Sequence, residues 1–154
     1  MKIKCFVLPV LLLLPALAFA QTAAEMDNLL ASGTVSAAQA ARFVLGAADL
    51  LPQGLSEADA ENAAYDTAFS NGWVKAAPGE SITYKETAFL IMKAFNIKGG
   101  VMYSIFKNPR YAYREMVYRK LIQGRTEGAM PVTGARFLLV LDRVLRYAER
   151  GDTQ

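Results

Sequence analysis

A hydroxyl residue opens an apolar, helix-spaced stretch three times in this chain, and no other feature limits the possible folds as much. Ser36 begins SAAQAARFVLGAADLL, Thr83 begins TYKETAFLIMKAF and Thr133 begins TGARFLLVLDRVLRYAER. The three openings lie 47 and 50 positions apart. A period of that size marks an internal repeat, in which one unit cannot bury its apolar face alone and must pack against its neighbours. In the first two stretches the third residue on is Gln39 or Glu86. That spacing is a capping box, in which hydroxyl and side-chain oxygen satisfy free N–H groups at a helix start. The third stretch has Arg136 at that place, which predicts an incomplete cap. Phe137, Leu141, Val144, Leu145 and Ala148 then recur on one helical face.

A shorter helical candidate precedes each stretch. The three run over 23–31 before Gly33, 56–70 before Gly72, and 109–123 before Gly124. Glycine just past a helix is a common left-handed stop. Asn108-Pro109 supplies an N-cap followed by a first-turn proline. The breaks Leu51-Pro52-Gln53-Gly54 and Gly99-Gly100 are too short to link independent domains. The expectation is one all-α domain over 21–150, with units of about 23–52, 56–98 and 104–149 and a tail over 151–154.

The chain opens MKIKCFVLPVLLLLPALAFA. Lys2 and Lys4, an apolar run from Phe6 to Leu17, and Ala18-Phe19-Ala20 form the pattern of a cleaved secretory signal over 1–20. The apolar run is shorter than the ~20 residues of a membrane-spanning helix. Cys5 precedes that run rather than ending it, so it does not mark a lipidation site. From Gln21 onward 134 residues remain, with no Cys, no His and a net charge of +1. Such a length can supply a hydrophobic core without disulfides. The expected location is outside the cytoplasm, in the periplasm or at the cell surface, with no transmembrane segment in the processed chain.

Units two and three carry a resemblance. GWVKAAPGESITYKETAFLIMKAF from Gly72 and GRTEGAMPVTGARFLLVLDRVL from Gly124 each place a Gly after a helix. A proline-containing loop, a β-branched residue and a Thr that opens an apolar helix follow in both. This arrangement resembles the S-layer homology repeat, whose loop runs G-x-x-x-G-x-F-x-P and whose helix opens I-T-R-A-E. Unit one keeps only Gly33-Thr34-Val35-Ser36. The resemblance spans roughly residues 25–149. It implies three helix–loop–helix repeats packed as a pseudo-threefold helical spindle, and noncovalent attachment to a cell-wall polysaccharide or peptidoglycan-linked polymer. The family's key positions fall on Thr83, Glu86 and Thr133. Where the family has Arg after Thr, this chain has Ala37, Tyr84 and Gly134. The stretch around Asn108-Pro109-Arg110-Tyr111 looks like envelope proteins of diderm bacteria such as spirochaetes.

Chemistry is narrowed by what the composition lacks. Without His, and with a single Cys, the Ser-His-Asp and Cys-His nucleophile systems, His-ligated metals and zinc ribbons are excluded. There is no P-loop or dinucleotide fingerprint. Acids at 57, 59 and 61 suit the first turn of a helix, not a calcium loop. The expectation is therefore a non-enzymatic module with no cofactor, no metal and no nucleic-acid partner. A glycan hydrolase would need two carboxylates facing each other across a cleft, and no spacing suggests such a pair.

Charge is unevenly spread along the chain. Residues 21–100 hold 5 basic and 9 acidic side chains, whereas residues 101–154 hold 10 and 5. A basic face of this kind attracts an anionic polymer or an acidic partner. On a helix from Pro109, Tyr113, Met116, Val117 and Leu121 form a candidate buried stripe, while Tyr111, Arg114 and Tyr118 share another face. Aromatic rings beside guanidinium groups suit sugar stacking or capture of an acidic group. The same residues also fit tyrosines wedged between units and arginines paired with Glu115 and Glu127. Arg136, Arg143 and Arg150 recur every seven residues, as a basic rail or a solvated face with an Asp142–Arg146 pair. Trp73 sits at a loop mouth, where it either stacks on a ligand or packs under the Pro78 loop. The candidate ligand-binding residues are Thr83, Glu86, Tyr111, Arg114, Tyr118 and Arg125. Two partners fit them: a cell-wall polymer held in grooves between units, or an envelope protein docked on the basic C-terminal half.

Overall fold

The computed structural model describes residues 23–151, so the expected secretory signal over 1–20 lies outside the described residues. The fold is all-α. Helix α1 covers 23–31, followed by α2 (Ala37–Ala47), α3 (Glu57–Ser70), α4 (Tyr84–Ala94), α5 (Val101–Ile105), α6 (Pro109–Tyr118) and α7 (Gly134–Glu149). The extended pairing among the described residues is limited to two isolated bridges, Ser36 with Ser81 and Thr83 with Pro131.

Helix starts follow their caps. Both capping boxes form, at Ser36 with Gln39 and at Thr83 with Glu86. Thr133 takes the same extended backbone but its side chain makes no capping bond. Helix stops follow one device used four times. Asp49, Gly72, Asn96 and Lys120 all take the left-handed conformation, with φ of 56°, 69°, 50° and 60°. The residue after each donates back to a carbonyl five positions earlier, as in Leu50 to Leu45, Trp73 to Ala68, Ile97 to Met92 and Leu121 to Met116. These are Schellman closures, in which a left-handed residue lets the chain turn back and satisfy the last free carbonyls.

The closure at Lys120 ends α6 at Tyr118, five residues short of the expected Gln123. The expected buried stripe changes with it. Ala112 and Met116, one turn apart, are fully buried, while Tyr113 is half-buried and Val117 is exposed. The small Ala112 side chain lets α6 pack along α4. Leu121 is buried as expected, but from the loop. Helix α5 was not expected at all, because five residues are too few to show a period. Gly99, part of the expected break, leads into α5 against the Tyr103 side chain. A Cβ there would lie 2.5 Å from the ring and 2.7 Å from the Tyr103 Cβ.

The units meet through the residues just before the three helix-opening hydroxyls. Ile82 N–H donates to the Val35 carbonyl at 2.9 Å, Val132 N–H to Ile82 at 3.0 Å, and Val35 N–H to Val132 at 2.9 Å. The three bonds run head to tail and close a ring, and all three side chains are fully buried. A second set surrounds it, since the first residue of α2, α4 and α7 donates to a neighbouring loop: Ala37 to Glu80, Tyr84 to Met130 and Gly134 to Ser32. Buried N–H groups that helix geometry leaves free are thereby satisfied between units. Gly134 is required here, because a Cβ would sit 1.5 Å from the Leu29 carbonyl oxygen of α1. Around this junction α3 packs along α2, α6 along α4, and α2 meets α4. Phe43 of α2 and Phe137 of α7 meet edge to face with centroids 6.4 Å apart.

Candidate functional site

The packing of α6 along α4 leaves a groove of about 510 Å³ between units two and three. One wall is the loop after α3, which brings Trp73 and Lys75. Lys85, Glu86 and Phe89 of α4 form the base, and Lys107 with the Asn108–Arg110 start of α6 forms the other wall. The sequence dictates this convergence. Left-handed Gly72 turns the chain so that Trp73 follows at the mouth, and the Thr83 cap places Lys85 and Glu86 in the first turn of α4. Asn108 caps α6 by accepting from Tyr111 N–H at 3.1 Å.

Four cations and one acid therefore line the groove. The Glu86 carboxylate is already engaged, accepting from the Thr83 hydroxyl at 2.6 Å and the Thr83 N–H at 3.2 Å. Among the described residues the ion pairs join Arg42 to Glu25, Arg119 to Glu115 and Arg146 to Asp142, and none involves a groove cation. The start of α6 adds the positive end of a helix dipole, while at α4 that end already faces the Glu86 carboxylate. Half-buried Trp73 offers an indole beside these charges. The arrangement suits a polyanion with flat apolar faces.

The six sequence-predicted residues fall in three places. Thr83 and Glu86 form the α4 cap, and Glu86 reaches the groove. Tyr111, Arg114 and Tyr118 do share a face, as their spacing requires, around a shallow depression of about 240 Å³ with Met102. Arg125 stands exposed on the loop between α6 and α7, apart from both. The six do not form one site. Sequence reasoning missed Lys75, Lys85, Lys107 and Arg110. Counting charge by halves of the chain hid that Lys75 and Lys85 flank one repeat loop, which the repeat register itself could have revealed.

A second basic depression, of about 430 Å³, runs along α7 and contains Arg119, Arg143, Arg146 and Arg150. Its cations are more engaged. Arg146 pairs with Asp142 as the four-residue spacing predicts, and Arg143 reaches the Leu121 carbonyl at 3.4 Å. Arg136 similarly reaches the Gln123 carbonyl at 3.3 Å. Arg119 is tied to Glu115, the Lys98 carbonyl and the Tyr147 hydroxyl. Its burial favours losing the proton, but the bonds to Glu115 and Tyr147 outweigh this and hold its pKa above the usual arginine value. Glu127, the other expected arginine partner, forms no ion pair among the described residues.

The residue after each helix-opening hydroxyl is packed at the junction. Ala37, Tyr84 and Gly134 are all buried against the neighbouring loops. Burial raises the pKa of the Tyr84 phenol; the Arg136 charge opposes this and Tyr113 adds to it. The nearest groove cation in unit two is Lys85, one residue further on. Among the described residues no cluster of three or more His, Cys, Asp or Glu is placed to hold a metal. Fold and groove thus define an all-helical chain with a basic, indole-bearing cleft between α4, the start of α6 and the loop after α3. No protein-family model matches it, and neither the curated proteins nor the solved structures contain a match.

Proposed function

We propose that this chain is an exported, non-catalytic envelope module of the S-layer homology type. It binds an anionic cell-wall polysaccharide or peptidoglycan-linked polymer in the groove between units two and three. The observation that carries the reading is the convergence of Lys75, Lys85, Lys107 and Arg110, none of them in an ion pair among the described residues, around the Trp73 indole. Cations supply charge-assisted hydrogen bonds to acidic substituents, and the indole supplies an apolar face for a sugar ring. The ring of bonds through Val35, Ile82 and Val132 supports a spindle closed about a pseudo-threefold axis. In this reading Lys85 takes the place of the missing motif Arg.

Co-sedimentation with purified cell-wall sacculi tests the proposal. The chain pellets with sacculi at low salt and is released at high salt. Lys85→Gln and Arg110→Gln each weaken binding about tenfold, the scale of a lost charge-assisted bond. A chain that stays in the supernatant at both salt concentrations overturns the reading. A second reading, docking of an acidic envelope protein, draws on the basic depression along α7. Recovery of such a protein, dependent on Arg143 and Arg150 and with no sacculus binding, favours it instead.

A further inference from the structure

Helix α5 presents its apolar side chains to solvent. Val101 is 71% exposed, Ile105 64% and Met102 56%, with Phe106 at 52% just beyond the helix end. Residues 101, 102 and 105 lie on one side of the helix, and Tyr103 alone turns inward to the core. The patch continues onto α6. Phe106 stacks on Tyr111 with centroids 5.5 Å apart, and Met102 borders the depression that holds Arg114 and Tyr118. Tyr118 is 83% exposed. Scattered apolar residues on a surface are ordinary, but a contiguous group of this kind marks an interaction site.

Charge identifies what covers it. Beside α5, Lys93, Lys98 and Lys107 line a hollow next to Tyr103 and Ser104, and Arg114 lines the one next to Met102, against a single acid, Glu115. That acid is occupied, accepting from Arg119 at 2.7 Å and from the Gly100 N–H at 3.0 Å. A second copy of this chain would bring the same positive charges against themselves. A protein hot spot needs apolar pockets that seat its anchors, whereas the two hollows described beside α5 are edged by charge, Arg114 and Glu115 on one and Lys98 and Lys107 on the other. Protruding aliphatic side chains, two aromatic rings and a skirt of lysine and arginine suit a surface that needs no matching shape. An anionic lipid headgroup layer is such a surface, where aromatic residues settle at the interface and each cation adds affinity.

We propose that α5, with Phe106 and Tyr118, is a peripheral membrane anchor that inserts into the headgroup layer of anionic bilayers. No described helix is long and apolar enough to cross a membrane, so the contact is interfacial. The proposal does not rest on the polymer groove: Lys107 borders both, but Val101, Met102, Ile105, Tyr118 and Arg114 lie outside that groove.

The test uses a local probe in the full chain. Phe106→Trp in a Trp73→Phe background makes the introduced indole the sole tryptophan, because the sequence has one. With vesicles containing phosphatidylglycerol the emission shifts to the blue and is quenched by lipids spin-labelled near the headgroup. With pure phosphatidylcholine vesicles it does not shift. Adding Ile105→Asp weakens partitioning more than about tenfold. Adding Arg114→Gln weakens it about fivefold, the worth of one cation near an anionic surface. An unmoved emission with phosphatidylglycerol, or equal shifts with both lipids, overturns the proposal. A shift produced only by lipid-free envelope proteins also overturns it and assigns the patch to a protein.

Discussion

Two regions of this molecule use similar residues in opposite ways. At the junction of the three units, Val35, Ile82 and Val132 are fully buried and their backbones bond to one another in a closed ring. On the α5–α6 flank, Val101, Ile105 and Phe106 are of the same chemical kind but stand in solvent. The junction spends its apolar surface on holding the units together. The flank leaves it unspent, bordered by Lys98, Lys107 and Arg114. Hydrophobic residues alone therefore do not separate core from surface in this fold. What separates them is packing: the residues just before Ser36, Thr83 and Thr133 meet at one buried junction, whereas Val101, Met102 and Ile105 of α5 meet nothing that covers them.

The contrast is broken most severely at Gly134. Gly134→Ala drives a Cβ into the Leu29 carbonyl, a backbone atom that cannot yield without moving α1. Denaturant unfolding should show a loss of about 3 kcal/mol or more, the upper range of overpacking. Ile82→Ala opens a hole in the ring and costs about 3 kcal/mol. Ile105→Ala on the exposed flank changes stability by less than about 0.5 kcal/mol. Equal effects from the two isoleucines would erase the distinction between junction and flank.

The junction side of the comparison was legible in the sequence. Ser36 and Thr83 announce their helices through capping boxes, and the apolar period of α7 was visible because sixteen residues give it room. The flank was not legible. Five residues of α5 cannot display a period, and left-handed Lys120 looks like any surface lysine until its φ is known. The groove lay between these cases. Its cations come from a loop, a helix start and the approach to another helix, so only packing brings them together. Tyr111, Arg114 and Tyr118 were correctly placed on one face by helical spacing. Helical spacing holds no information about Thr83, Glu86 or Arg125, which lie elsewhere.

Smaller effects sharpen the same picture. Lys120 carries a side chain in a conformation that glycine adopts freely, so Lys120→Gly should stabilise the chain by about 0.5–1 kcal/mol in thermal or denaturant unfolding. At Tyr84 the effect is one of pH. Burial raises its pKa above 10.0, so the unfolded chain releases the phenol proton first. Its contribution is complete below about pH 10 and falls as the pH rises through the folded-state value. Tyr84→Phe should flatten that alkaline decline in unfolding measurements made from neutral pH upward.

Trp73 makes the groove report on itself, because it is the only tryptophan in the chain and lines that groove. Titration with solubilised anionic cell-wall polymer should produce a saturable change in Trp73 fluorescence that salt suppresses. The change should weaken about tenfold in Lys85→Gln. Polymer that binds while Trp73 emission stays constant, or a titration unaffected by Lys85→Gln and Arg110→Gln together, would contradict the assignment of the groove.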